Sequence, residues 1–543
     1  MNLTKAFTAL IIFTTLHFTA FADTETPKEE IEFIDFLAQW MTHKTDTIDD
    51  GVIGLALENV YISLGSLNKE DFNFKSDETS SGYLKYTLDH PIIKKLTAKY
   101  PNIPIVIDSD GRLVIENNLD LSNVKFDFLN WQNFNIKGLL ILSNITIIED
   151  NNAEFENSKI SHFEIWDIDT EYLFISNNQF DTLTCYGEGD LESLVIENNK
   201  IKQFNCEYEK LMTFNFHDNT ITKNSKPSLN YSDKIINIEI DNTPFFSFWN
   251  NNIKGHIKSV VRIQVNSDDY FVFDNTLTSN LDLTSSQAKS RFRFDNNISG
   301  FIGLNSFTLS ETNNDINWYD FKGKLAGVRH ENVNDYSDSL IVNRVNTLAD
   351  MKDTIMVYSV IRDYYQLYSI FKSNGNIKYA NSAYAQMKDI ETLRLNYEYS
   401  QSENLNDWFG WRLAQIMKIY TNHGTNPARA LVLSFYIILF FSFIYIFFPS
   451  DWDTKSKSEI LKNLKSALDK KESGTFMAIS KFIFFFIVSM FNALTLSLNS
   501  FTTLGFGSIP THGVAKYICI LEGFIGWFLL LLFGVALINQ VLF

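Results

Sequence analysis

The sequence predicts a parallel β-solenoid, followed by a helical hairpin and an all-α transmembrane domain. A unit of about 20 residues repeats from about Ile105 to Phe321, as in proteins built of stacked coils. The apolar period becomes helical between about Val342 and Thr421. Beyond Ala430, uncharged runs follow that are long enough to cross a bilayer.

The N-terminus has the pattern of a secretory signal over residues 1–22. Lys5 precedes an apolar run from Ala6 to Phe21, and Ala20-Phe21-Ala22 is a small-residue cleavage site. An uncleaved anchor helix is the alternative. Residues 23–104 are expected to form a region that caps the solenoid, and the signal predicts its export.

The repeat is clearest in three copies, which place Asn178, Asn199 and Asn219 after two alternating apolar residues. The asparagines lie 21 and 20 residues apart (199 − 178 and 219 − 199). Related cues are Phe155-Glu156-Asn157, Phe248-Trp249-Asn250, Phe273-Asp274-Asn275 and Phe294-Asp295-Asn296. Such a unit cannot bury its apolar face alone, so the units must stack over about residues 105–325. We expect the three asparagines to form a ladder at one corner, where their amides hydrogen-bond along the axis.

Two solenoid types compete for this pattern. Leu191 to Ile201 also resembles a leucine-rich repeat, which would curve into a horseshoe with helices on its convex side. A second alternating strand follows the asparagine corners, however, as in Thr182 to Cys185 and Gln203 to Cys206. We therefore favour a right-handed β-helix, and its F-x-N-x-x-[IF] units resemble degenerate pentapeptide-type repeats.

Composition and cysteine spacing exclude some classes of partner and activity. The net charge of −18 argues against a nucleic-acid partner, because a phosphate-binding surface needs a basic face. Cys185 and Cys206 lie one repeat apart and should stack in the core, as an apolar ladder rather than a disulfide. The acidic residues are scattered and no pair defines a groove site, so we predict that the protein is not an enzyme.

A helical linker domain is expected over residues 340–425. Met351 to Lys372 and Ile377 to Tyr397 predict two amphipathic helices, broken at Ser373-Asn374-Gly375-Asn376. They loosely resemble one tetratricopeptide unit, and a plain helical hairpin is the simpler interpretation. The following Asp407 to Arg412, with two tryptophans and a cation, suggests a segment at the lipid interface.

The membrane part begins with a predicted transmembrane helix over residues 430–448. A loop with six lysines follows at 450–475, and residues 476–543 contain a second apolar segment, a short pore helix at Phe491 to Phe501 and an inner helix. Glu522 lies within that last helix, and an acidic residue at membrane depth is a candidate functional group. It would attract cations or brace the neighbouring pore from behind, and a satisfied structural carboxyl group is the alternative.

A glycine-containing segment interrupts the uncharged stretch from Phe482 to Ala515. A filter for a dehydrated cation requires a rigid stack of carbonyl oxygens facing the pore, and glycine lets successive peptides alternate direction without a Cβ clash. Gly505 and Gly507 have the spacing that this needs. The predicted filter consists of Thr502, Thr503, Leu504, Gly505, Phe506 and Gly507.

This segment resembles the potassium-channel signature T-[VI]-G-[YF]-G, preceded as usual by an apolar pore helix. The resemblance covers about Phe491 to Gln540 and implies a two-transmembrane, pore-loop channel of a bacterial membrane. It implies a homotetramer with permeant K⁺ at Thr503, Leu504, Gly505 and Phe506, and no other cofactor. Ser508 stands where many such filters carry Asp, and Leu504 where Val or Ile is usual, so conductance and selectivity remain open.

Two function classes follow from these features. The first is a potassium-selective channel in the bacterial inner membrane, with a non-selective cation channel as its variant. The second is a solenoid with a binding or adhesion role, its ligand unknown, for which the C-terminal helices are only an anchor. Export of the solenoid to the periplasm requires three crossings with the lysine loop inside, whereas two crossings would leave the solenoid in the cytoplasm.

Overall fold

The computed structural model describes residues 29–42, 46–47, 53–72, 85–149, 151–188, 191–223, 234–256, 259–283, 286–304, 307–309, 314–332, 338–448, 459, 461–462, 465–466, 475–503, 511 and 513–541. The predicted signal at 1–22 lies outside these residues. The chain divides into two compact units, one of residues 1–344 with 358–363 and the other of residues 345–357 with 364–543.

Parallel strands make up most of the first unit. Twenty-five of its described strands join in one sheet, and two more form an antiparallel hairpin. The strands are β1 Glu29–Glu32, β2 Asp46–Thr47, β3 Ile53–Glu58, β4 Val60–Ser63, β5 Leu113–Ile115, β6 Asn118–Ser122, β7 Lys125–Phe126, β8 Leu129–Gln132, β9 Phe134–Ile147, β10 Asn152–Glu156, β11 Lys159–Asp169, β12 Tyr172–Ser176, β13 Gln179–Gly187, β14 Ser193–Glu197, β15 Lys200–Lys210, β16 Thr213–His217, β17 Thr220–Thr222, β18 Lys234–Trp249, β19 Asn252–Lys254, β20 Val260–Leu277, β21 Asn280–Asp282, β22 Gln287–Ile298, β23 Ile302–Gly303, β24 Thr308–Leu309, β25 Asn314–Ile316, β26 Gly327–Asn332 and β27 Asp338–Asn343.

The strands stack into a parallel β-solenoid of about eight turns over residues 113–316. A short strand such as β12 passes a corner into a longer strand such as β13, and each pairs in parallel with its counterparts one turn away. This confirms the predicted solenoid and its second strand after each corner. The described residues of 113–316 contain no helix, so the leucine-rich alternative is wrong.

The asparagine ladder is confirmed. The backbone N–H of Asn178 donates to Oδ1 of Asn199 over 2.8 Å, and that of Asn199 donates to Oδ1 of Asn219 over 2.9 Å. The ladder continues beyond the predicted copies through Asn251, Asn275 and Asn296. All six side chains are buried. Their amides hydrogen-bond to backbone groups at the corner, and neighbouring amides also hydrogen-bond to each other.

The residue before most ladder asparagines has a left-handed backbone. Asn177 and Asn198 have φ of 58° and 52°, and Asp218 has 57°. Asn and Asp tolerate this region better than other residues with a side chain. Asn157 and Asn250, which belong to the related sequence cues, are corner residues of this kind, and Ser158 and Asn251 after them occupy the ladder.

The N-terminal end of the solenoid core is covered by helix α1, Phe33–Thr42. The rings of Phe36 and Trp40 contact Trp131 at centroid distances of 6.3 and 5.4 Å, inside the first turns. Strands β3 and β4 already pair in parallel with β6 and β7, so the coil begins within the predicted capping region of residues 23–104.

At the other end, a short helix closes the core. Helix α3, Trp318–Phe321, packs Phe321 on Phe294 at 4.7 Å. Helix α2, Pro91–Lys99, lies in the chain between β4 and β5. Within the stack, Cys185 and Cys206 are register partners on adjacent turns and both are buried free thiols, as predicted. Burial raises the thiol pKa of both residues well above its usual value.

The second unit is helical. Its helices are α4 Thr354–Ser373, of which residues 358–363 belong to the first unit, α5 Ile377–Ser402, α6 Leu405–Thr421, α7 Pro427–Tyr445, α8 Thr475–Thr503 and α9 Val514–Val541. The predicted helical hairpin is α4 and α5, broken where expected: Gly375 has φ of 72°, and the Asn376 side chain caps α5 by accepting from the N–H of Tyr379.

Candidate pore region

Three helices of the second unit are long and apolar enough to cross a membrane. They are Pro427–Tyr445, Ile479–Thr503 and Val514–Asn539, that is, α7 and most of α8 and α9. The first matches the predicted span at 430–448 with a start three residues earlier. Most of the lysine-rich loop at 450–475 lies outside the described residues.

Helix α8 differs from the expectation of a separate short pore helix. It is one helix of 29 residues, and Phe491 to Phe501 form its C-terminal part. Its last two residues, Thr502 and Thr503, are exposed in the single chain, and their hydroxyls donate to the carbonyls of Leu498 and Asn499 over 2.8 and 2.6 Å. The remaining predicted filter residues, Leu504 to Gly507, and Ser508 lie outside the described residues.

The C-terminal end of α8 lies against the middle of α9. A Cβ on Gly526 would lie 2.2 Å from the carbonyl oxygen of Phe501, so only glycine permits this approach. Gly526 is 12 residues beyond Val514, where α9 begins, which corresponds to about 18 Å along the helix axis. A tight turn between antiparallel helices would instead bring the end of α8 beside the first turn of α9.

Glu522 lies on the same face of α9, buried between the three helices. Tyr445 of α7 donates its hydroxyl to Oε2 of Glu522 over 2.6 Å, and Ser497 of α8 donates to Oε1. Ser500, one turn further along α8, donates to the carbonyl of Cys519 over 2.6 Å. The carboxyl group therefore links α7, α8 and α9 through hydrogen bonds that satisfy both of its oxygens.

Apolar packing surrounds this polar contact on both sides. Phe501 is buried in one cluster with Ala430, Ile438 and Leu529, and Leu496 in another with Phe441 and Cys519. Other apolar side chains of α8 and α9 face outward from the single chain, including Phe484, Phe491, Leu521, Phe524 and Leu531. In a membrane, lipid would contact the side chains that stay exposed.

The C-terminal end of α9 reaches the loop that joins α6 to α7. The amide of Asn539 lies 3.4 Å from the position that a Cβ on Gly424 would take. This end of the helix borders a cavity of about 180 Å³ that is lined by Tyr368, Lys372, Ile377, Ala380, Asn381, Tyr384, His423, Gly424, Thr425 and Asn539. The loop thus connects the helical hairpin to the last spanning helix.

Charged hydrogen bonds fix this loop. Oδ1 of Asp389, on α5, is 2.9 Å from Nε2 of the buried His423 and 3.0 Å from Nζ of Lys418. Partial burial opposes ionisation of Asp389, but the contacts with His423 and Lys418 outweigh it and hold the pKa below its usual value. Asn422, His423 and Gly424 all have positive φ, so the loop backbone is also unusual.

The sequence interpretation located Glu522 but missed its partners and the close contact beside it. Tyr445, Ser497 and Ser500 are hydroxyl residues in apolar helices, and the spacing of the two serines places them one turn apart on α8. That spacing is the sequence feature from which a polar contact with a neighbouring helix could have been predicted. No protein-family model, curated protein or solved structure matches this chain.

Proposed function

We propose that the chain is the subunit of a tetrameric, potassium-selective channel of a bacterial inner membrane, with an N-terminal solenoid exported to the periplasm. The observation that carries this proposal is the contact between Phe501 and Gly526. It fixes the end of α8 at mid-depth of α9, directly before the Thr502–Gly507 segment.

The contact supports a re-entrant loop for a geometric reason. The ten residues 504–513 join the end of α8 to the start of α9, about 18 Å apart along the α9 axis. A segment of ten residues can extend over about 33 Å, so it can return along the helix to its start. A backbone at membrane depth that is neither helix nor strand is tolerated where it is buried in protein or lines water.

The chemistry of the segment favours cation conduction. No Asp, Glu, Lys or Arg occurs from Phe482 to Ala515, so a cation there would be coordinated by neutral oxygens. Carbonyls of Thr503, Leu504, Gly505 and Phe506 would replace the water that K⁺ loses. One chain supplies a quarter of each oxygen ring, which is why the proposal requires four chains around one axis.

Potassium flux into liposomes tests the proposal. The Gly505→Ala variant should lose flux, because a Cβ opposes the backbone conformation of a carbonyl stack. Gly410→Ala, in α6, is the matched control, since a Cβ there meets nothing within 4 Å. Circular dichroism and size-exclusion chromatography would confirm that both variants fold and assemble alike.

The outcomes separate the possibilities. Flux of K⁺ well above Na⁺, lost in Gly505→Ala and kept in Gly410→Ala, supports the proposal. Equal flux of both ions would favour a non-selective cation channel, and normal conduction by Gly505→Ala would show that the filter is assigned wrongly. Ser508→Asp adds charge beside the filter and should change conductance more than selectivity.

A membrane-anchored binding or adhesion solenoid is the second candidate. The observation that favours it is the unbroken α8, whose residues Ile479–Thr503 are long enough to cross the membrane as an ordinary span. In that case the glycine-containing segment would be a turn between two spans. The protein would then be monomeric in detergent and the liposomes would show no flux of either ion.

A further inference from the structure

An acidic cavity of about 550 Å³ opens on the outer face of the solenoid. It is lined by Trp166, Asp167, Tyr186, Gly187, Glu188, Glu207, Tyr208, Glu209, Glu239 and Asp241. These residues come from strands β11, β13, β15 and β18 and, for Glu188, from the position directly after β13; the four strands belong to successive turns of the coil. The cavity therefore runs along the solenoid axis across four turns, about 14 Å at the usual strand spacing.

All charged groups among the described lining residues are carboxylates. Glu207 and Glu239 are direct register partners on adjacent strands. Like charges opposite each other in a sheet destabilise it, and here the pair belongs to a set of six acidic residues. Of these, Glu239 accepts a hydrogen bond from Gln264 over 3.2 Å and Asp167 accepts from the N–H of Glu188 over 2.7 Å, both uncharged donors.

Tyr208, another residue that lines the cavity, has an unsatisfied hydroxyl. Tyr208 is 3% exposed, and its hydroxyl has no hydrogen-bond partner within the described part of the chain. A Cβ on Gly187 would lie 2.4 Å from the Tyr208 ring, so the glycine makes room for the tyrosine. A buried hydroxyl without a partner costs free energy, which a ligand in the cavity would recover.

Aromatic rings complete the wall. Trp166 and Tyr186 contact each other with centroids 4.4 Å apart, and Trp166 is 40% exposed. Ring faces beside carboxylates attract organic cations through both charge and the ring quadrupole. Alkyl chains between cationic centres would gain further from contact with these rings.

We propose that this cavity binds a linear aliphatic polyamine. Such a ligand carries only N–H donors on its polar groups, which complements a wall whose side-chain polar groups are carboxylates, hydroxyls and one indole N–H. Its amines are spaced by short methylene chains, similar to the about 4.8 Å between turns, so successive ammonium groups meet carboxylates from successive turns. This inference concerns the solenoid and is independent of the proposed channel activity.

Two other ligand classes fit less well. Within the described residues no group of three or more His, Cys, Asp or Glu side chains has the geometry to hold a metal ion, which argues against a bound divalent cation. A neutral sugar brings hydroxyls that need donors as well as acceptors, whereas the described lining residues offer three side-chain donors, on Trp166, Tyr186 and Tyr208, against six carboxylates.

Isothermal titration calorimetry on the full-length protein in detergent tests the inference, with spermidine as the probe at constant ionic strength. The Glu207→Gln/Glu239→Gln variant should bind spermidine at least tenfold more weakly. The Glu30→Gln/Glu192→Gln variant makes the same charge change at two exposed sites outside the cavity and should leave the affinity unchanged. Tyr186→Leu should weaken binding about threefold through loss of the ring face.

Tyr208→Phe gives a second, independent readout. It removes the unpartnered hydroxyl, so the free protein should melt at the same or a higher temperature while spermidine binds more weakly. A lower melting temperature together with unchanged affinity would overturn the role of this hydroxyl and with it the inference.

Three further results would overturn the proposal. The first is equal spermidine affinity in the Glu207/Glu239 variant and the native protein, which would reduce the interaction to diffuse electrostatics. The second is full competition by Mg²⁺ at matched ionic strength. The third is saturable binding of maltopentaose without binding of spermidine, which would make the cavity a sugar site.

Discussion

Replacing Asn199 by alanine tests the internal ladder of the solenoid. Asn199 is 1% exposed and lies between Asn178 and Asn219. Its Oδ1 accepts from the N–H of Asn178 over 2.8 Å. Its Nδ2 donates to the carbonyl of Ile175 over 2.8 Å and to Oδ1 of Asn219 over 3.1 Å. Alanine removes all three bonds.

The cost follows from what remains unpaired. The N–H of Asn178 would be buried without an acceptor, which costs about 1–3 kcal/mol, and loss of the two donated bonds adds about 1 kcal/mol. Oδ1 of Asn219 stays satisfied, because it still accepts from the N–H of residue 199 over 2.9 Å. The expected destabilisation is therefore about 2–4 kcal/mol, a large part of the stability of a typical domain.

Hydrogen exchange measured by mass spectrometry locates this effect. Peptides that cover β12 to β17 should exchange roughly 30- to 700-fold faster in Asn199→Ala, if opening of these turns follows the loss of stability. Peptides from α5 and α6, in the other unit, should exchange as in the native protein. A melting curve followed by tryptophan fluorescence would give the accompanying fall in melting temperature.

Asn205→Ala is the matched control. Asn205 is half-buried and points outward from β15, six residues from Asn199, so its replacement should change stability by less than about 0.5 kcal/mol. If Asn199→Ala and Asn205→Ala had equal effects on exchange, the ladder would contribute nothing beyond ordinary strand pairing. The account of the corner given above would then be wrong.

Three predictions concern the helical unit. Gly526→Ala should prevent the close approach of Phe501 and so abolish assembly or flux. Gly534→Ala, whose Cβ meets nothing within 4 Å in one chain, should be better tolerated. Equal effects of the two substitutions would contradict the close contact. Glu522→Gln should keep at least one of its two accepted hydrogen bonds and lower the melting temperature less than Glu522→Ala, which removes the carboxyl acceptor of both the Tyr445 and the Ser497 hydroxyl; the reverse order would refute the structural role. The pKa of Asp389 is lowered from 3.8, so its contribution to stability should be complete above about pH 5 and lost as the pH falls through the folded-state pKa. Exchange at residues 422–425 against pH would show this loss in the native protein and not in Asp389→Asn.

The solenoid was predictable because its signal repeats in the chain. Each turn repeats the same features: two inward apolar residues, a left-handed corner and a buried amide. The pattern can therefore be recognised even where a single turn departs from it. The related cues at Asn157 and Asn250 mark the corner and not the ladder, for a physical reason. Both the corner and the ladder select asparagine, for different reasons, and a lone Asn after a phenylalanine does not tell them apart.

The first turn of the solenoid was not predicted, although its sequence contains a motif like those of the later turns. Leu55 and Leu57 alternate before Asn59, which has φ of 58° and so matches the corner residues of later turns. It stands alone, more than 50 residues before the next clear copy, and β5 to β7 are too short to extend the pattern. A single copy of a motif is weak evidence, because alternation over a few residues is common.

The pore region shows the limit of prediction from sequence more sharply. An acidic residue in an apolar helix is visible in the sequence, but its partners on α7 and α8 depend on how the helices cross. The same holds for Gly526, which looks like any glycine of a spanning helix until Phe501 is found against it. Local patterns predict elements, whereas contacts between helices require the packing itself.

Glu522 and Gly526 together restrict where the predicted filter can begin. Ser497 and Ser500 of α8 donate hydrogen bonds to α9, and Phe501 packs closely against Gly526. These three contacts all lie within the last seven residues of α8, and they fix the position of its end. A turn between two spans has no need of this restraint, because a turn tolerates movement of its ends. A carbonyl filter does need it, since a shift of its first residue displaces every oxygen ring. A Glu522 variant that melts as the native protein does but loses discrimination between K⁺ and Na⁺ would therefore favour the channel, and one that only melts earlier would favour the anchor.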